Sequence, residues 1–286
     1  MNILIESGAT KSTCIGYSGT STFFTYKTKG INVTYASQET INVIFNEIIH
    51  QNNIIVTEVE NILYYGAGCN NPDNAKKVKR VLGLLFPNAK AAVFSDLYAA
   101  CHALCTNQKG YVGILGTGSA SSLFDGTQII DMAPSLGYLL GDEGSGTHIG
   151  KLFVTAYLKG NIEPEIVIDF EESFKVSKSL VLEKIYQDTK PQIFFASIPI
   201  FLQKHLKNSN IQALISNSFQ DFFARQIDYY KNKTYPWFFC GSIAYYFQDI
   251  LIETAQKNGV EIKGVIKECV YKLLHIEKML FLPPFF

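Results

Sequence analysis

The sequence predicts an α/β protein of two lobes, because a strand–turn–strand unit with small residues in its turn occurs twice along the chain. The first unit spans residues 2–17 and the second spans residues 110–126. Strand-like and helical segments alternate around these units, which is typical of α/β domains. At 286 residues the chain also exceeds the usual size of one domain. We therefore expect residues 1–109 to form one lobe and residues 110–286 to form the other.

Composition argues against several classes of function. Apolar residues make up 47% of the chain and charged residues 17%, which is ample for packed cores. Lysine plus arginine equals aspartate plus glutamate at 25 each, so a basic surface for nucleic acid is not predicted. No signal-like segment and no run of about 18 apolar residues occurs, so we expect neither export nor membrane spanning. Six cysteines without metal-type spacing fit a reducing cytoplasm, where we expect the protein to reside.

The first lobe is predicted to contain a sheet with helices between its strands. Alternating apolar residues predict strands over 2–6, 13–17 and 21–30. Residues 37–51 predict a helix, because a polar cap precedes apolar residues at helical spacing. Further segments follow in order: a strand into a glycine turn at 61–68, a helix at 71–86, a buried strand at 90–96 and a helix from 97. Small-residue turns thus follow the carboxyl ends of strands, where open α/β sheets bind ligands.

The second lobe is predicted to repeat the opening unit and then to become mainly helical over residues 151–230. Pro199 is expected to kink or end one of these helices. Residues 236–259 predict a strand, a tight turn and one long helix with a terminal glycine. Residues 261–266 predict a last short strand, which would complete a second α/β lobe.

Two turns have the composition of anion-binding loops. In the segment ESGATKS, Gly8 and Ala9 let the backbone approach an anion, Thr10 adds a hydroxyl and Lys11 adds a mobile positive charge. The spacing is not that of a Walker loop, so an ordinary hairpin turn remains the alternative. The segment GTGS at 116–119 has the same chemistry. Because they lie in separate lobes, the two turns are expected to grip one polyphosphate across a cleft.

Three acidic residues stand where carboxylates can do chemistry. Asp96 ends a strand and opens a helix, so it is either part of a helix cap or a base for the proton of an attacking hydroxyl. Asp142 and Glu143 lie in the loop GDEGSG, before a helix expected from Thr147. They either complement that helix dipole or accept hydrogen bonds from sugar hydroxyls. The histidines show no ligand spacing, and we assign none of them to catalysis or to metal binding.

Taken in order, the motifs resemble those of the actin/hexokinase/Hsp70-type ATPases, and more closely those of the N-acetylglucosamine kinase and BadF/BadG-type ATPase family. The similarity runs from residue 3 to about residue 250. ESGATKS is similar to the first phosphate motif of the family, D-x-G-x-T-K, and GILGTGS to the second. FSDLYAA resembles the segment with the catalytic aspartate, and KGIN the segment whose asparagine meets the sugar. LGYLLGDEGSG resembles the sugar loop and FFCGSIA the adenosine motif.

This resemblance implies a two-lobed actin-like ATPase fold of duplicated ribonuclease H-like domains, with a nucleotide and sugar cleft between the lobes. It implies transfer of phosphate from ATP to the 6-hydroxyl of an amino sugar, most closely N-acetylglucosamine. Asp96 would be the general base, and Glu6 would lie near the Mg²⁺ ion that bridges the phosphates. The residues implied to bind ATP are Gly8, Ala9, Thr10, Lys11, Gly116, Thr117, Gly118, Ser119, Gly241 and Ser242. Those implied to bind the sugar are Asn32, Gly66, Ala67, Gly68, Asp142 and Glu143.

Three features depart from the family pattern. Glu6 stands where the family has aspartate, and Ala120 stands where relatives often have an asparagine that bonds the sugar. The ending from Leu273 also fits poorly, although a last helix would be expected to cross back onto the first lobe. Two alternatives to a kinase are a BadF-type ATPase activator, for which no matching pair of cluster-binding cysteines is evident, and a sugar-binding sensor that has lost catalysis. We expect no nucleic-acid or membrane partner, and the resemblance allows a homodimer.

Overall fold

A computed structural model describes residues 1–231 and 234–280 of the chain. The chain divides into two compact units. Unit 1 contains residues 1–106 and the chain from Glu268 onward, and unit 2 contains residues 107–267. The boundary thus follows Thr106, whereas the sequence predicts it after residue 109, and the last helix belongs to unit 1. The final residues of the tail, 281–286, lie outside the described residues.

Unit 1 is built on a five-stranded sheet with the order β3-β2-β1-β4-β5. Its strands are β1 (Asn2–Ser7), β2 (Lys11–Ser18), β3 (Ser21–Lys29), β4 (Asn61–Gly66) and β5 (Lys90–Ser95). The first three form an antiparallel meander, while β4 and β5 run parallel to β1. The carboxyl ends of β1, β4 and β5 therefore meet at one edge, where Ser7, Gly66 and Ser95 are in register.

The helices of unit 1 cover this sheet. They are α1 (Gln38–Gln51), α2 (Pro72–Leu85), α3 (Asp96–Leu104) and the last helix of the chain, which is α12 (Val270–Leu280). The apolar stripe of α1 is buried as its spacing predicts, at Ile41, Ile44, Phe45 and Ile48. It packs in one hydrophobic core with residues of β1, β4 and α2.

Unit 2 repeats the sheet of unit 1. Its order is β10-β9-β6-β7-β8, with strands β6 (Gly110–Leu115), β7 (Ser119–Phe124), β8 (Ile129–Met132), β9 (Trp237–Cys240) and β10 (Ile262–Ile266). Again the first three strands form an antiparallel meander, and β9 and β10 run parallel to β6. The predicted duplication is thus present in the topology of the two sheets.

Helices of unit 2 pack around a second, largely aromatic core. They are α4 (Gly137–Leu140), α5 (Gly146–Lys159), α6 (Pro164–Phe174), α7 (Lys178–Tyr186), α8 (Pro191–Leu202), α9 (Ser209–Tyr230), α10 (Ser242–Tyr246) and α11 (Gln248–Lys257). None of the helices described has the length and apolarity needed to cross a membrane. All six cysteines are buried, and none of them forms a disulfide.

Two sequence expectations for unit 2 concern its helices. Pro199, expected to kink or end a helix, lies inside α8, which ends three residues later at Leu202. The Phe195 carbonyl, which cannot bond to a proline nitrogen four residues later, lies against Gly150 of α5, where a Cβ would overlap it. The prediction of one long helix after β9 is wrong, because the structure has two helices there, α10 and α11. Phe247 interrupts it with φ −115° and ψ 27°, and its side chain is buried in the core.

Candidate functional site

The first predicted phosphate turn lies between β1 and β2. The Gly8 N–H donates to the Lys11 carbonyl oxygen at 2.9 Å, which closes the turn. Gly30, just after β3, packs directly against it, because a Cβ on Gly30 would overlap the Gly8 carbonyl oxygen and the Lys11 nitrogen. Ala9, Thr10 and Lys11 are exposed. The turn is thus supported from inside the unit and presents its tip to solvent.

Glu6, at the end of β1, holds the beginning of α12. Its Oε2 accepts a hydrogen bond from the Val270 N–H at 2.7 Å, and its Oε1 accepts one from the Cys269 N–H at 3.3 Å. Burial raises the pKa of Glu6, although the two N–H groups and Lys11 act to lower it and Glu268 acts to raise it. A carboxylate at a helix N-terminus is favoured by the helix dipole and by the unpaired N–H groups there.

These contacts bear on the Mg²⁺ ion that the resemblance implies. Mg²⁺ is normally held by one or two carboxylates together with substrate phosphates. Both oxygens of the Glu6 carboxylate already accept N–H bonds from the start of α12. The arrangement therefore fits a helix cap better than a metal ligand.

The predicted sugar-binding residues of unit 1 lie together beside the first turn. The Val33 N–H donates to the Ala67 carbonyl oxygen at 3.0 Å, and the Ala67 N–H donates to the Ser7 carbonyl oxygen at 2.8 Å. Gly68 has φ +85°, and a Cβ on it would lie 3.0 Å from Asn32 Oδ1. Asn32 and the segment 66–68 are therefore in close contact at the sheet edge.

Asp96 is the first residue of α3 and follows β5 at the same edge. Ser95 caps the helix, because its side chain accepts a hydrogen bond from the Tyr98 N–H at 3.4 Å. Asp96 Oδ1 accepts a hydrogen bond from the Leu97 N–H at 3.1 Å. Burial raises the pKa of Asp96, although the N–H bonds of Leu97 and of Asp96 itself lower it. Because Ser95 pairs with Gly66 and Gly66 with Ser7, Asp96 lies in line with the predicted phosphate and sugar segments.

The second predicted phosphate turn and the predicted sugar loop meet within unit 2. The Gly116 N–H donates to the Gly118 carbonyl oxygen at 3.0 Å. The Ser119 N–H donates to Asp142 Oδ1 at 3.1 Å, and a Cβ on Gly118 would lie 2.9 Å from Asp142 Oδ2. A side chain at position 118 would therefore displace the Asp142 carboxylate. Two of the N–H groups predicted to hold phosphate thus have partners inside unit 2.

The loop around Asp142 contains a left-handed backbone residue and two neighbouring carboxylates. Asp142 has φ +59°, a left-handed conformation that few residues other than glycine adopt without cost. Burial raises its pKa and Glu143 adds to that effect, whereas the Ser119 N–H and Lys151 lower it. Glu143 Oε1 lies 3.8 Å from Arg225 Nε. The loop therefore keeps two carboxylates together against like-charge repulsion.

The end of the same loop is bonded to the second turn. The Gly146 N–H donates to the Gly116 carbonyl oxygen at 2.8 Å, and Thr147 Oγ1 donates to the Thr117 carbonyl oxygen at 2.7 Å. Gly241, with φ +121°, follows β9, and a Cβ on it would overlap the Leu115 carbonyl oxygen. Gly241 and the adjoining Ser242 consequently lie at the same sheet edge as the turn 116–119.

The structure therefore gathers the predicted residues into two sets, one in each unit. It also shows three residues outside the motifs that contact residues of the motifs. Asn74 donates to the Gly68 carbonyl oxygen at 3.0 Å, Lys151 donates to the Tyr138 carbonyl oxygen at 2.5 Å beside the sugar loop, and Glu268 forms an ion pair with Lys11. Only Glu268 carries a sequence signal, since it is an acid just before a helix.

Comparison with known structures agrees with this arrangement. Two α/β units of the same sheet order, each with a small-residue turn after its first strand, are the arrangement that the resemblance to the actin/hexokinase/Hsp70-type ATPases implies. The chain is similar to a candidate N-acetylglucosamine kinase from Porphyromonas gingivalis, with 29% identity, a TM-score of 0.93, and 99% of this chain and 100% of that one covered. The resemblance seen in the motifs is therefore confirmed, and so is the predicted fold class.

More distant structures share the fold alone. A candidate N-acetylglucosamine kinase from Chromobacterium violaceum is 16% identical with a TM-score of 0.68, covering 96% of this chain and 98% of that one. A ROK family glucokinase from Streptomyces griseus, in complex with glucose and AMPPNP, is 11% identical with a TM-score of 0.58 and the same coverage. Comparison of the sequence with models of known families and with curated proteins gives no match.

Proposed function

We propose that this protein is an ATP-dependent sugar kinase that phosphorylates the 6-hydroxyl of an amino sugar, with N-acetylglucosamine as the first candidate. One observation carries the proposal: Asp96 lies at the same sheet edge of unit 1 as the turn 8–11 and the segment 66–68. A base, a cationic turn and a sugar-binding segment are the parts that transfer of phosphate to a hydroxyl requires. The full-length similarity to the candidate kinase from Porphyromonas gingivalis supports the same class of reaction.

Asp96 is proposed to accept the proton of the attacking hydroxyl. Its Oδ1 accepts the Leu97 N–H, so the side chain has a fixed orientation and Oδ2 is the oxygen proposed to face the substrate. Burial raises its pKa, and a carboxylate of raised pKa is a stronger base while it stays ionised. The carboxylate would thus draw the proton from the hydroxyl as the new oxygen–phosphorus bond forms and the bond from the γ-phosphorus to the departing ADP oxygen breaks.

Phosphate binding is proposed for the two small-residue turns. Lys11 supplies a full positive charge, and the exposed tip of the turn 8–11 lets phosphate oxygens approach the backbone. The turn 116–119 has no lysine, and its backbone is proposed to bind phosphate oxygens in unit 2. ATP supplies the phosphoryl group, and Mg²⁺ is the ion with which such kinases neutralise its charge.

Sugar binding is proposed for residues of both units. Asn32 and the backbone of residues 66–68 offer polar groups in unit 1, and Asp142 and Glu143 offer carboxylates in unit 2. Carboxylates are strong acceptors for hydroxyl donors. Ala120 has no side-chain donor, so we expect binding to lack about 0.5–1.5 kcal/mol that an asparagine at this place would add.

The test is a coupled assay of ADP release over a panel of amino sugars with ATP and Mg²⁺. We expect turnover on N-acetylglucosamine, and we expect Asp96→Asn to lower kcat by about 10²–10⁴-fold while nucleotide still binds. Asp73→Asn is a matched control, because Asp73 also stands in the first turn of a helix of unit 1 but is exposed.

Other outcomes separate the alternatives. Full turnover in Asp96→Asn would contradict the assigned base. Sugar binding without turnover would indicate a sensor, and ATP hydrolysis indifferent to sugar would indicate an activator.

A further inference from the structure

Lys11 in the first phosphate turn is paired with Glu268, a residue outside every motif described above. Lys11 Nζ donates to Glu268 Oε1, and Lys27 Nζ of the neighbouring strand lies 3.8 Å from Glu268 Oε2. The Glu268 side chain is 13% exposed, whereas those of Lys11 and Lys27 are 52% and 57% exposed. A largely buried carboxylate therefore faces two lysines whose side chains are about half exposed.

The position of Glu268 is set by α12. The next two residues, Cys269 and Val270, donate their N–H groups to the Glu6 carboxylate. Farther along the helix, Lys278 Nζ donates to Thr22 Oγ1 of β3 at 2.8 Å. Glu268 thus directly precedes a helix that is bonded to β1 and β3 of unit 1, and it cannot move with Lys11 as freely as an exposed glutamate could.

We propose that Glu268 competes with nucleotide phosphate for the Lys11 ammonium and thereby sets the affinity for ATP and ADP. A phosphate oxygen that approaches Lys11 must share or replace the ion pair that Lys11 makes with Glu268. Glu268 is in this sense a residue that weakens nucleotide binding and favours release of ADP. The inference rests on the proposed function only in that the turn 8–11 binds the phosphates of a nucleotide.

The experiment is a calorimetric titration of the full chain with ADP, in the absence of sugar. Glu268→Gln keeps the shape of the side chain and removes its charge, so we expect the Kd for ADP to fall about two- to fivefold. Repeating Glu268→Gln in a Lys11→Met background completes a double-mutant cycle. There the gain should largely disappear, because the competition acts through Lys11.

A matched control is Glu253→Gln. Glu253 also pairs with a lysine, Lys257 at 2.7 Å, but it lies exposed on α11. We expect this variant to bind ADP as the wild type does. If Glu268→Gln fails to fold, Glu268→Asp is the second variant, because it withdraws the carboxylate from Lys11 by one methylene and should also lower the Kd.

The outcomes are distinguishable. Unchanged or weaker ADP binding in Glu268→Gln, an equal gain in the Lys11→Met background, or no ADP binding by any variant would overturn the inference. Normal ADP binding without phosphorylation of any sugar would count against the proposed kinase alone.

Discussion

The Glu6 carboxylate accepts a hydrogen bond from the Val270 N–H at 2.7 Å, and this bond ties the end of β1 to the beginning of α12. The two residues are separated by almost the whole chain, yet both belong to unit 1. An aspartate at position 6 would be one methylene shorter. The glutamate that departs from the family motif is therefore the residue whose length matches a contact with the last helix.

The first prediction concerns this cap. Glu6→Asp should shorten the reach to Val270 and lower the free energy of unfolding by about 1 kcal/mol, since that is the typical value of a lost helix cap. Urea denaturation at neutral pH measures it. Glu39→Gln, in the exposed first turn of α1, is the control and should lower the free energy of unfolding clearly less than Glu6→Asp does. An Asp variant as stable as the wild type would show that the cap contributes little.

A second prediction is the pH dependence of stability at Asp96. Burial raises the pKa of Asp96 in the folded protein above its ordinary value of 3.8. The contribution of this group to stability is therefore present below pH 3.8 and is lost as the pH rises through the folded pKa. Asp96→Asn keeps an acceptor for the Leu97 N–H but carries no charge. It should be more stable than the wild type at neutral pH, with the difference shrinking as the pH falls.

Thermal unfolding of the wild type and of Asp96→Asn, measured from below pH 3.8 up to neutral pH, checks the sign of this difference in stability. Asp73→Asn again serves as the control, because Asp73 is exposed and should show no such gain at neutral pH. A wild type that is more stable than Asp96→Asn at neutral pH would mean that the native fold favours the ionised carboxylate.

Asp142 provides a third prediction, which separates a structural role from sugar binding. Asn at this position tolerates the left-handed backbone and retains an oxygen for the Ser119 N–H, but it loses the charge. We expect Asp142→Asn to raise the KM for the sugar about tenfold, as the loss of one charged hydrogen bond would. The melting temperature should not fall, because burial raises the pKa of Asp142 and the fold therefore does not depend on its charge.

Asp125→Asn is the matched control for this loop, because Asp125 also accepts backbone N–H bonds in a tight turn of unit 2, between β7 and β8. Its KM for the sugar should equal that of the wild type. A large fall in melting temperature for Asp142→Asn, with an unchanged KM, would assign the Asp142 charge to folding instead.

The fourth prediction tests the contact between Gly68 and Asn32. Gly68→Ala forces a Cβ into a residue with φ +85° and within 2.6 Å of Thr34 Oγ1. We expect a loss of about 1–2 kcal/mol in the free energy of unfolding, together with a raised KM for the sugar. Gly83→Ala in α2 is the opposite case, since a Cβ there would meet no atom within 4 Å beyond its chain neighbours and the backbone of its own helix. It should stabilise the protein by about 1 kcal/mol, and equal effects of the two substitutions would refute the strain argument.

Much of the fold follows from local sequence patterns. The helical spacing of Ile41, Ile44 and Phe45 predicts the buried face of α1, and the repeated strand–turn–strand unit predicts the duplicated sheets. The break at Phe247 was not predictable, because residues 242–257 have good helical periodicity throughout. Only the packing of Phe247 in the core of unit 2 makes the interruption favourable.

The candidate site likewise combines features that the sequence predicts with contacts that it does not. The small-residue turns and the acids at strand ends are visible in the sequence, because short segments suffice to build them. The bond from the Ser119 N–H to Asp142 joins residues 23 positions apart, and the ion pair of Lys11 joins residues 257 positions apart. No local pattern specifies such partners, so the motifs show what each segment offers but not what it already binds.

By itself the sequence determined the order of the elements, the doubled α/β plan and the chemical character of each turn, because these depend on periodicity and residue type within a few positions. Tertiary structure alone decided that Glu6 caps α12 and that Glu268 faces Lys11. Both contacts require the chain to return to unit 1 after the whole of unit 2. The position of that return is set by packing and by the unpaired N–H groups of a helix end.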